Sequence, residues 1–352
     1  MGGCHNLFFL TVFSGYLKHI TQEKLITIHF ALSYMDKDTF LIGEEQIRSN
    51  VNFSELISDI ENCYADHYLQ RSKMPSRTHV EINEYNGEIV SMPSKLSDNS
   101  VGVKWASDYP KNTGLPTIMG VVIYNDKMTG KPLAIMNGTE ITKMRTGCAA
   151  AIGMKHLAPR NITSVGMIGL GVQAYDVLRA KSSVYNFEKL YVSDISDISY
   201  AAFVEEFNDD YQIIRCSIEE CISNSDVVST ITPTTDPIVN SMSSGLHVNA
   251  MGADAHDKQE ITSRIQTSED VVLVTDDVQQ SEDSGEFSKI LRSDSVNEIY
   301  TIGEVIHKDL SKELRNKKTI FDSTGLSLQD IATARRIYQD VDKESCQKFR
   351  FV

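Results

Sequence analysis

The sequence predicts an α/β protein: a doubly wound parallel sheet joined to an α+β part built from both ends of the chain. Three observations carry this. From Thr163 onward, short apolar segments alternate with helical stretches (TSVGMIGLG, KLYVSD, YQIIR, DVVSTIT, GLHVNAMG and DVVLVTD), the pattern of parallel strands joined by crossover helices. Before that point the order is a helix followed by strands with hairpin turns. The length of 352 residues suits two cores better than one.

The elements follow in order. Residues 1–34 contain the apolar run Leu7 to Phe13, far short of the about 20 residues that cross a bilayer. No Lys or Arg precedes the run and no small-residue cleavage site follows it, so it is a poor secretory signal, and the cytoplasm is the expected residence. We set 1–34 apart as an extension of uncertain role, because MDKDTFLIGEEQI from Met35 reads like an ordinary domain start. Leu56, Ile57, Ile60 and Tyr64 keep helical spacing from Phe53, and Asn52 with Glu55 resembles a capping box. RTHVEIN (77–83) and EIVSM (88–92) flank Asn86-Gly87, a hairpin signal. In SVGVKWAS (100–107), Lys104 alternates with the apolar residues and shares its face with Gly102 and Ala106, where a cavity-facing ammonium fits. Two more strands, IMGVVIYN and KPLAIMN, are joined by the turn Asp126 to Gly130. A helix from about Thr142 carries the small run Thr146 to Ala151, a surface that another backbone can approach closely. KTIFDSTGL leads into a last helix, Leu328 to about Val341, that returns to the first part of the chain.

Composition bounds the function. With 41% hydrophobic and 23% charged residues and a mean hydropathy of -0.23, the chain is soluble and globular. Its 48 acidic against 34 basic residues give a net charge of -14, which disfavours nucleic acid and anionic membranes as partners. Cys4, Cys63, Cys148, Cys216, Cys221 and Cys346 form no C-x-x-C pair and read as reduced thiols. No His, Cys or carboxylate spacing points to a catalytic metal, and no Ser/His/Asp pattern is present.

Gly169-Leu170-Gly171-Val172-Gln173-Ala174 is G-x-G-x-x-A, placed directly after the strand SVGMI and opening a helix. The first Gly allows the tight turn, the second lets backbone approach a pyrophosphate, and the helix amino terminus supplies N–H donors: the fingerprint of a Rossmann dinucleotide site. Asp194 ends the next strand, where a carboxylate accepts from the ribose 2′-OH and repels a 2′-phosphate, so NAD is favoured over NADP. Its bland alternative is a helix cap. Arg77, Lys104 and Arg145 lie on three separate segments; each alone is commonly a solvated cation, yet together they suit one carboxylate. Asp254 follows the strand that ends in Val248-Asn249-Ala250-Met251, at the edge where open α/β sheets bind ligands, and is a candidate general acid or base, with a cap as the alternative. His256 and Asp257 share that loop and read as exposed.

The passages GVKWASDYPKN, GLPTIMG, TGKPLAIMNGTEITKMRTGCAAA, IGLGVQA, NAMGADAHDKQEI, TIGEVI and IFDSTGLSLQD resemble the ornithine cyclodeaminase/μ-crystallin family, in wording its archaeal-type alanine dehydrogenases, over about residues 35 to 345. The resemblance implies a homodimer whose subunit has a Rossmann NAD-binding domain, 149–317, and a substrate-binding and dimerisation domain, 35–148 with 318–352. It implies that Arg77, Lys104 and Arg145 bind the substrate carboxylate, with Lys104 and Asp254 in the catalytic set. Cofactor contacts carry over to Thr117, Arg145, Gly169, Gly171, Val172, Gln173, Asp194, Thr232, Val248, Asn249, Ala250, Met251, Lys258 and Ser323. The ornithine cyclodeaminases carry a Glu before their M-P pair, whereas this chain has Val90 ahead of Met92-Pro93; Glu81 or Glu88 stands nearby. The implied activity is NAD-dependent oxidation of a small L-amino acid, alanine first, through an imine to a 2-oxo acid and ammonia, or the reverse. Ornithine cyclodeamination, ketimine reduction and a non-catalytic ligand-binding role are the alternatives.

Overall fold

A computed structural model describes residues 37–49, 51–253, 255, 258–293 and 298–351. The expectations for residues 1–34, Asp254, His256 and Asp257 lie outside the described residues.

Two sheets organise the chain. Strands β1 (Asp38–Ile42), β2 (Thr78–Ile82), β3 (Gly87–Lys95), β4 (Val101–Asp108), β5 (Ile118–Asn125) and β6 (Pro132–Asn137) form one. A final strand, Gln347–Arg350, joins that sheet from the far end of the chain, antiparallel to β1. Helix α1 (Phe53–Tyr68) buries Leu56, Ile57, Ile60 and Tyr64, as its spacing predicts. Its cap is a single bond from Ser54 N–H to Asn52 Oδ1 at 2.9 Å, without the reciprocal box through Glu55. The β2–β3 hairpin forms where expected, but a 3₁₀ turn at Asn83–Tyr85 precedes the left-handed Asn86, and Gly87 already belongs to β3.

Helix α2 (Gly138–Leu157) starts four residues before Thr142 because Asn137 Oδ1 accepts from Thr139 N–H at 3.0 Å and Glu140 N–H at 3.2 Å. Its small-residue run is buried, and at Gly147 the backbone of Asp176 in helix α3 (Ala174–Ser182) fills the space a Cβ would take.

The second sheet is wholly parallel. Its strands are β7 (Ser164–Ile168), β8 (Lys189–Ser193), β9 (Gln212–Arg215), β10 (Val227–Thr230), β11 (His247–Ala250), β12 (Val271–Thr275), β13 (Tyr300–Thr301) and β14 (Lys318–Asp322), in the order β13-β12-β14-β11-β10-β7-β8-β9. The domain boundary expected after residue 317 therefore falls one strand early: β14 is a central strand of this sheet, between β11 and β12, and Thr319 to Asp322 are fully buried. Helix α4 (Ser327–Asp340) then leaves the parallel sheet for the first one, which is antiparallel except for the parallel pair β1–β6. There Ser327 Oγ donates to Pro93 O at 3.4 Å, and Arg335 reaches Asp59 of α1 at 3.1 Å and Asp98 at 2.8 Å.

Register fixes where chemistry can occur. Ile168, Thr230, Ala250, Asp322 and Thr275 form one row across five parallel strands, and the chain segments just beyond it carry Gly169, Thr232, Met251, Ser323 and Asp276. On the antiparallel sheet Met92 pairs with Lys104 and Val90 with Ala106, so Val90 shares the face of Lys104. That face is the covered one: Lys104 is 6% exposed and Trp105, on the other face, 47%.

Candidate active site

The three cations come together. Lys104 Nζ donates to Thr142 Oγ1 of α2 at 2.7 Å and lies 3.3 Å from Asp330 Oδ1 of α4. Arg145, one helical turn beyond Thr142, places its Nε 3.4 Å from the same oxygen. Arg77, just before β2, donates through Nη2 to the carbonyls of Thr324 at 2.8 Å and Gly325 at 2.7 Å. Gly325 has φ +79° and faces Arg145: a Cβ there would lie 2.5 Å from Nη1 and 2.8 Å from Cζ. The loop after β14 is thus the point at which Arg77 and Arg145 meet, and Asp330 ties Lys104 to Arg145.

Among the described residues, Asp330 is the carboxylate that Lys104 and Arg145 share. Burial pushes the Lys104 ammonium down to about 8; Asp330 opposes that shift, while Arg145 and Arg77 add to it. Such a cluster, largely withdrawn from water, is suited to a small anion with a planar, bidentate head.

The glycine loop lies at the same carboxyl edge. Gly169 has φ +93°, and a Cβ on it would come 2.5 Å from Ile231 O. A Cβ on Gly171 would meet open space, and Val172 is exposed. Asp194 Oδ2 accepts from Leu170 N–H at 2.6 Å and its Oδ1 from Ser196 N–H at 2.7 Å, so it braces the loop; the cap of the following helix, Asp197–Phe207, is Ser196. Gln173 Oε1 is buried with no hydrogen-bond partner, an acceptor left for something the chain does not supply. Open space over the second glycine, an orphaned acceptor and the free amino terminus of α3 fit the pyrophosphate and ribose of a dinucleotide.

Of the remaining expected contacts, Thr232, Met251 and Ser323 follow the carboxyl ends of parallel strands. Thr232 N–H and Oγ1 both donate to Glu260 Oε1 at 2.7 Å, and Glu260 Oε2 takes Thr230 Oγ1 at 2.7 Å and Gly252 N–H at 2.9 Å. Ser323 is buried, and its N–H donates to Ala250 O at 3.1 Å. Val248, Asn249 and Ala250 are buried within the sheet. The Asn249 amide turns inward, donating to Ala150 O at 3.1 Å. Met251 is buried, Lys258 half-buried, and Thr117 exposed at the entry to β5. Among the described residues no three His, Cys, Asp or Glu side chains are grouped to hold a metal ion. Among them, too, no helix is long and apolar enough to cross a membrane.

Sequence reasoning missed Asp330, Thr142, Gly325 and Glu260. Asp330 and Gly325 lie within DSTGLSLQD and Glu260 within the string ending KQEI, but nothing local marks them as neighbours of residues more than 100 positions away or on other strands.

The profile of the ornithine cyclodeaminase/mu-crystallin family matches residues 37–345. The chain belongs to that family. It is 33% identical to the alanine dehydrogenase of Archaeoglobus fulgidus, over 89% of this chain and 99% of that one. Among solved structures, an archaeal alanine dehydrogenase dimer with bound NAD superposes with a TM-score of 0.81 at 31% identity, covering 90% of this chain and 100% of that one. The Δ1-pyrroline-2-carboxylate reductase of Thermococcus litoralis, in complex with NADH and L-proline, gives a TM-score of 0.79 at 30% identity, with 86% and 97% covered. This member of the family has the NAD-binding fold of these structures, and its glycine loop and Asp194 occupy the edge where such a cofactor sits.

Proposed function

We propose that the protein is an NAD-dependent amino-acid dehydrogenase acting on a small L-amino acid, with alanine the first substrate to try. The observation that carries this is the meeting of Arg77 and Arg145 at the loop Ser323 to Gly325, on the same sheet edge as the glycine loop, with Lys104 tied to Arg145 through Asp330. A carboxylate held by the three cations has its Cα beside that edge. Gly169, Gly171, Val172, Gln173 and Asp194 would hold the dinucleotide, with Thr117, Arg145, Thr232, the stretch Val248 to Met251, Lys258 and Ser323 completing its contacts. When bound, NAD supplies the hydride acceptor for the Cα–H bond of the amino acid.

The chain's own residues do the rest. Arg77 and Arg145 orient the carboxylate in the plane of their forks, and Lys104 adds a point charge withdrawn from water. Asp254, which follows β11 by four residues, takes a proton from the water that hydrolyses the imine, releasing a 2-oxo acid and ammonia. Residues 149–317 with β14 supply the cofactor half, and the antiparallel sheet with α4 the substrate half.

Val90 favours a small or apolar substrate side chain. It lies beside Ala106 on the covered face of the sheet, and the neighbouring Glu88 is paired to His79 Nδ1 at 3.0 Å. That weighs against ornithine, whose distal amine needs a counter-charge. Reduction of a cyclic imine is the second reading, favoured by the 30% identical reductase that binds NADH and L-proline. A homodimer is part of the proposal, since Val80, Trp105 and Val121 expose an apolar patch on the outer face of the antiparallel sheet and the similar archaeal structure is a dimer.

The test is absorbance at 340 nm with NAD and a panel of L-amino acids, and with NADH and cyclic imines or 2-oxo acids plus ammonia. Turnover of alanine or another small amino acid is expected; proline release from ornithine without net NADH makes it a cyclodeaminase. Silence across both panels, with NADH still bound, leaves only a ligand-binding role.

A further inference from the structure

We infer that Asp276 is a positioning residue for the substrate carboxylate, acting through Gly325 on Arg77 and Arg145; this rests on the carboxylate-binding role proposed above. Asp276 is the first residue after β12, on a segment separate from those that carry the cation cluster, and is 1% exposed. Its two oxygens are divided over one short loop. Oδ1 accepts from Thr324 Oγ1 at 2.7 Å and from Asp277 N–H at 3.0 Å; Oδ2 accepts from Gly325 N–H at 2.9 Å and Ser323 Oγ at 3.4 Å. Three consecutive residues therefore hang on a single carboxylate.

What that loop presents on its other side is the cation pair. With φ at +79°, Gly325 turns its N–H to Asp276 and its carbonyl to Arg77 Nη2, while its Cα lies on the guanidinium of Arg145. Gln280 grips the same loop through Nε2, to Thr324 Oγ1 at 2.5 Å and Gly325 O at 3.1 Å. Arg77 and Arg145 come from opposite ends of the antiparallel part of the chain, and Gly325 is where they touch a common element. The direction of both forks is consequently set by where Asp276 holds that glycine.

A scaffold role alone would weaken the protein; a positioning role moves the arginines. Asp276→Asn keeps the shape but replaces one of the two acceptor oxygens with an amide NH₂ facing donors. The enzyme is assayed with NAD and the amino acid it turns over best, as wild type, D276N, R77A and the double variant. Melting temperature and NADH affinity, read by fluorescence quenching, are measured on all four. D276N is expected to lower kcat/KM about 10- to 100-fold, mostly through KM, the size of an ångström-scale misplacement. Its NADH affinity should fall by much less than kcat/KM, since Arg145 and Ser323 are two among many cofactor contacts, and in the R77A background its penalty should shrink to about 3-fold or less, because one interaction cannot be lost twice.

If D276N misfolds, Thr324→Val, which removes the Thr324 hydroxyl's bond to Asp276 and its bond from Gln280 and leaves Asp276 in place, must raise KM in the same Arg77-dependent way. Full additivity with R77A, or a loss of NADH affinity and thermal stability equal in proportion to the loss of activity, overturns the inference alone. An R77A enzyme as active as wild type overturns the carboxylate role and this inference with it.

Discussion

Gly325 and Arg145 are in direct backbone-to-side-chain contact: the guanidinium occupies the volume where any larger residue at 325 would place its Cβ, 2.5 Å from Nη1. Gly325→Ala must displace the arginine and also place an Ala at φ +79°, which alone costs about 1 kcal/mol. We expect the variant to fold and to lose about 100-fold in kcat/KM, since the fork can no longer meet the carboxylate in plane, with a much smaller loss of NADH affinity through the single cofactor contact of Arg145. Steady-state kinetics of an otherwise stable G325A enzyme at wild-type level would remove Arg145 from substrate binding.

Lys104 gives a pH signature. Its ammonium is held near a pKa of about 8 in the substrate-free protein, chiefly by burial. The folded value is below the ordinary one, so the charge needed for the carboxylate is complete below pH 8 and lost as pH rises through it. The substrate's own amine titrates in the same region, which obscures a single profile. The ratio of kcat/KM for wild type to that of Lys104→Arg cancels the substrate's titration, and guanidinium stays charged throughout. That ratio is expected to fall about tenfold per unit above pH 8; a flat ratio from pH 6 to 10 denies Lys104 a charged role.

In the function proposed above, Val90 limits which substrate side chains enter. It is 9% exposed, on the covered sheet face shared with Lys104. Val90→Glu buries a carboxylate in that face and should cost about 1–3 kcal/mol of stability while no cationic ligand is present. With L-alanine, kcat/KM should fall at least about tenfold, and L-ornithine should become the better competitor, because its distal amine neutralises the new charge. Inhibition constants for both amino acids decide the matter. An unchanged preference places the side-chain pocket elsewhere on the sheet.

The parts that local chemistry controls were legible in the sequence. Gly169 and Asp194 could be placed because a tight turn after a strand has few alternative explanations, and Lys104 because alternation alone puts it on the face of Gly102 and Ala106. Alternation does not say which face is covered, however, and the apolar-looking side of β4 carries the half-exposed Trp105. Asp330 reads locally as an acid in the first turn of a helix, where the dipole already accounts for it. Its pairing with Lys104, 226 positions away, exists only because β14 slots between β11 and β12 and throws α4 back across the antiparallel sheet. Chain order cannot reveal that insertion. Gly325 and Asp276 were hidden for the same reason, their partners being brought together by strand order.

Asp322 carries the last prediction. It is fully buried at the end of β14; burial first, then the neighbouring Asp276, pushes its carboxyl up to about 7, and Ser281 Oγ donates to one of its oxygens. The folded state thus holds this proton more tightly than the unfolded chain does. Its contribution to stability is complete below the ordinary value of 3.8 and is lost as pH rises through about 7. The full effect is bounded by about 4 kcal/mol, and the coupling to Asp276 makes the realised value smaller. Asp322→Asn, which resembles the protonated acid at every pH, should melt at about the wild-type temperature at pH 4. By pH 8 it should melt several degrees higher, because wild type has by then ionised a group in the core while the amide has not. Thermal denaturation of both proteins across that range measures it directly. A difference that does not grow with pH means that Asp322 is already ionised at acid pH and that the sheet edge beneath Asp276 tolerates the charge.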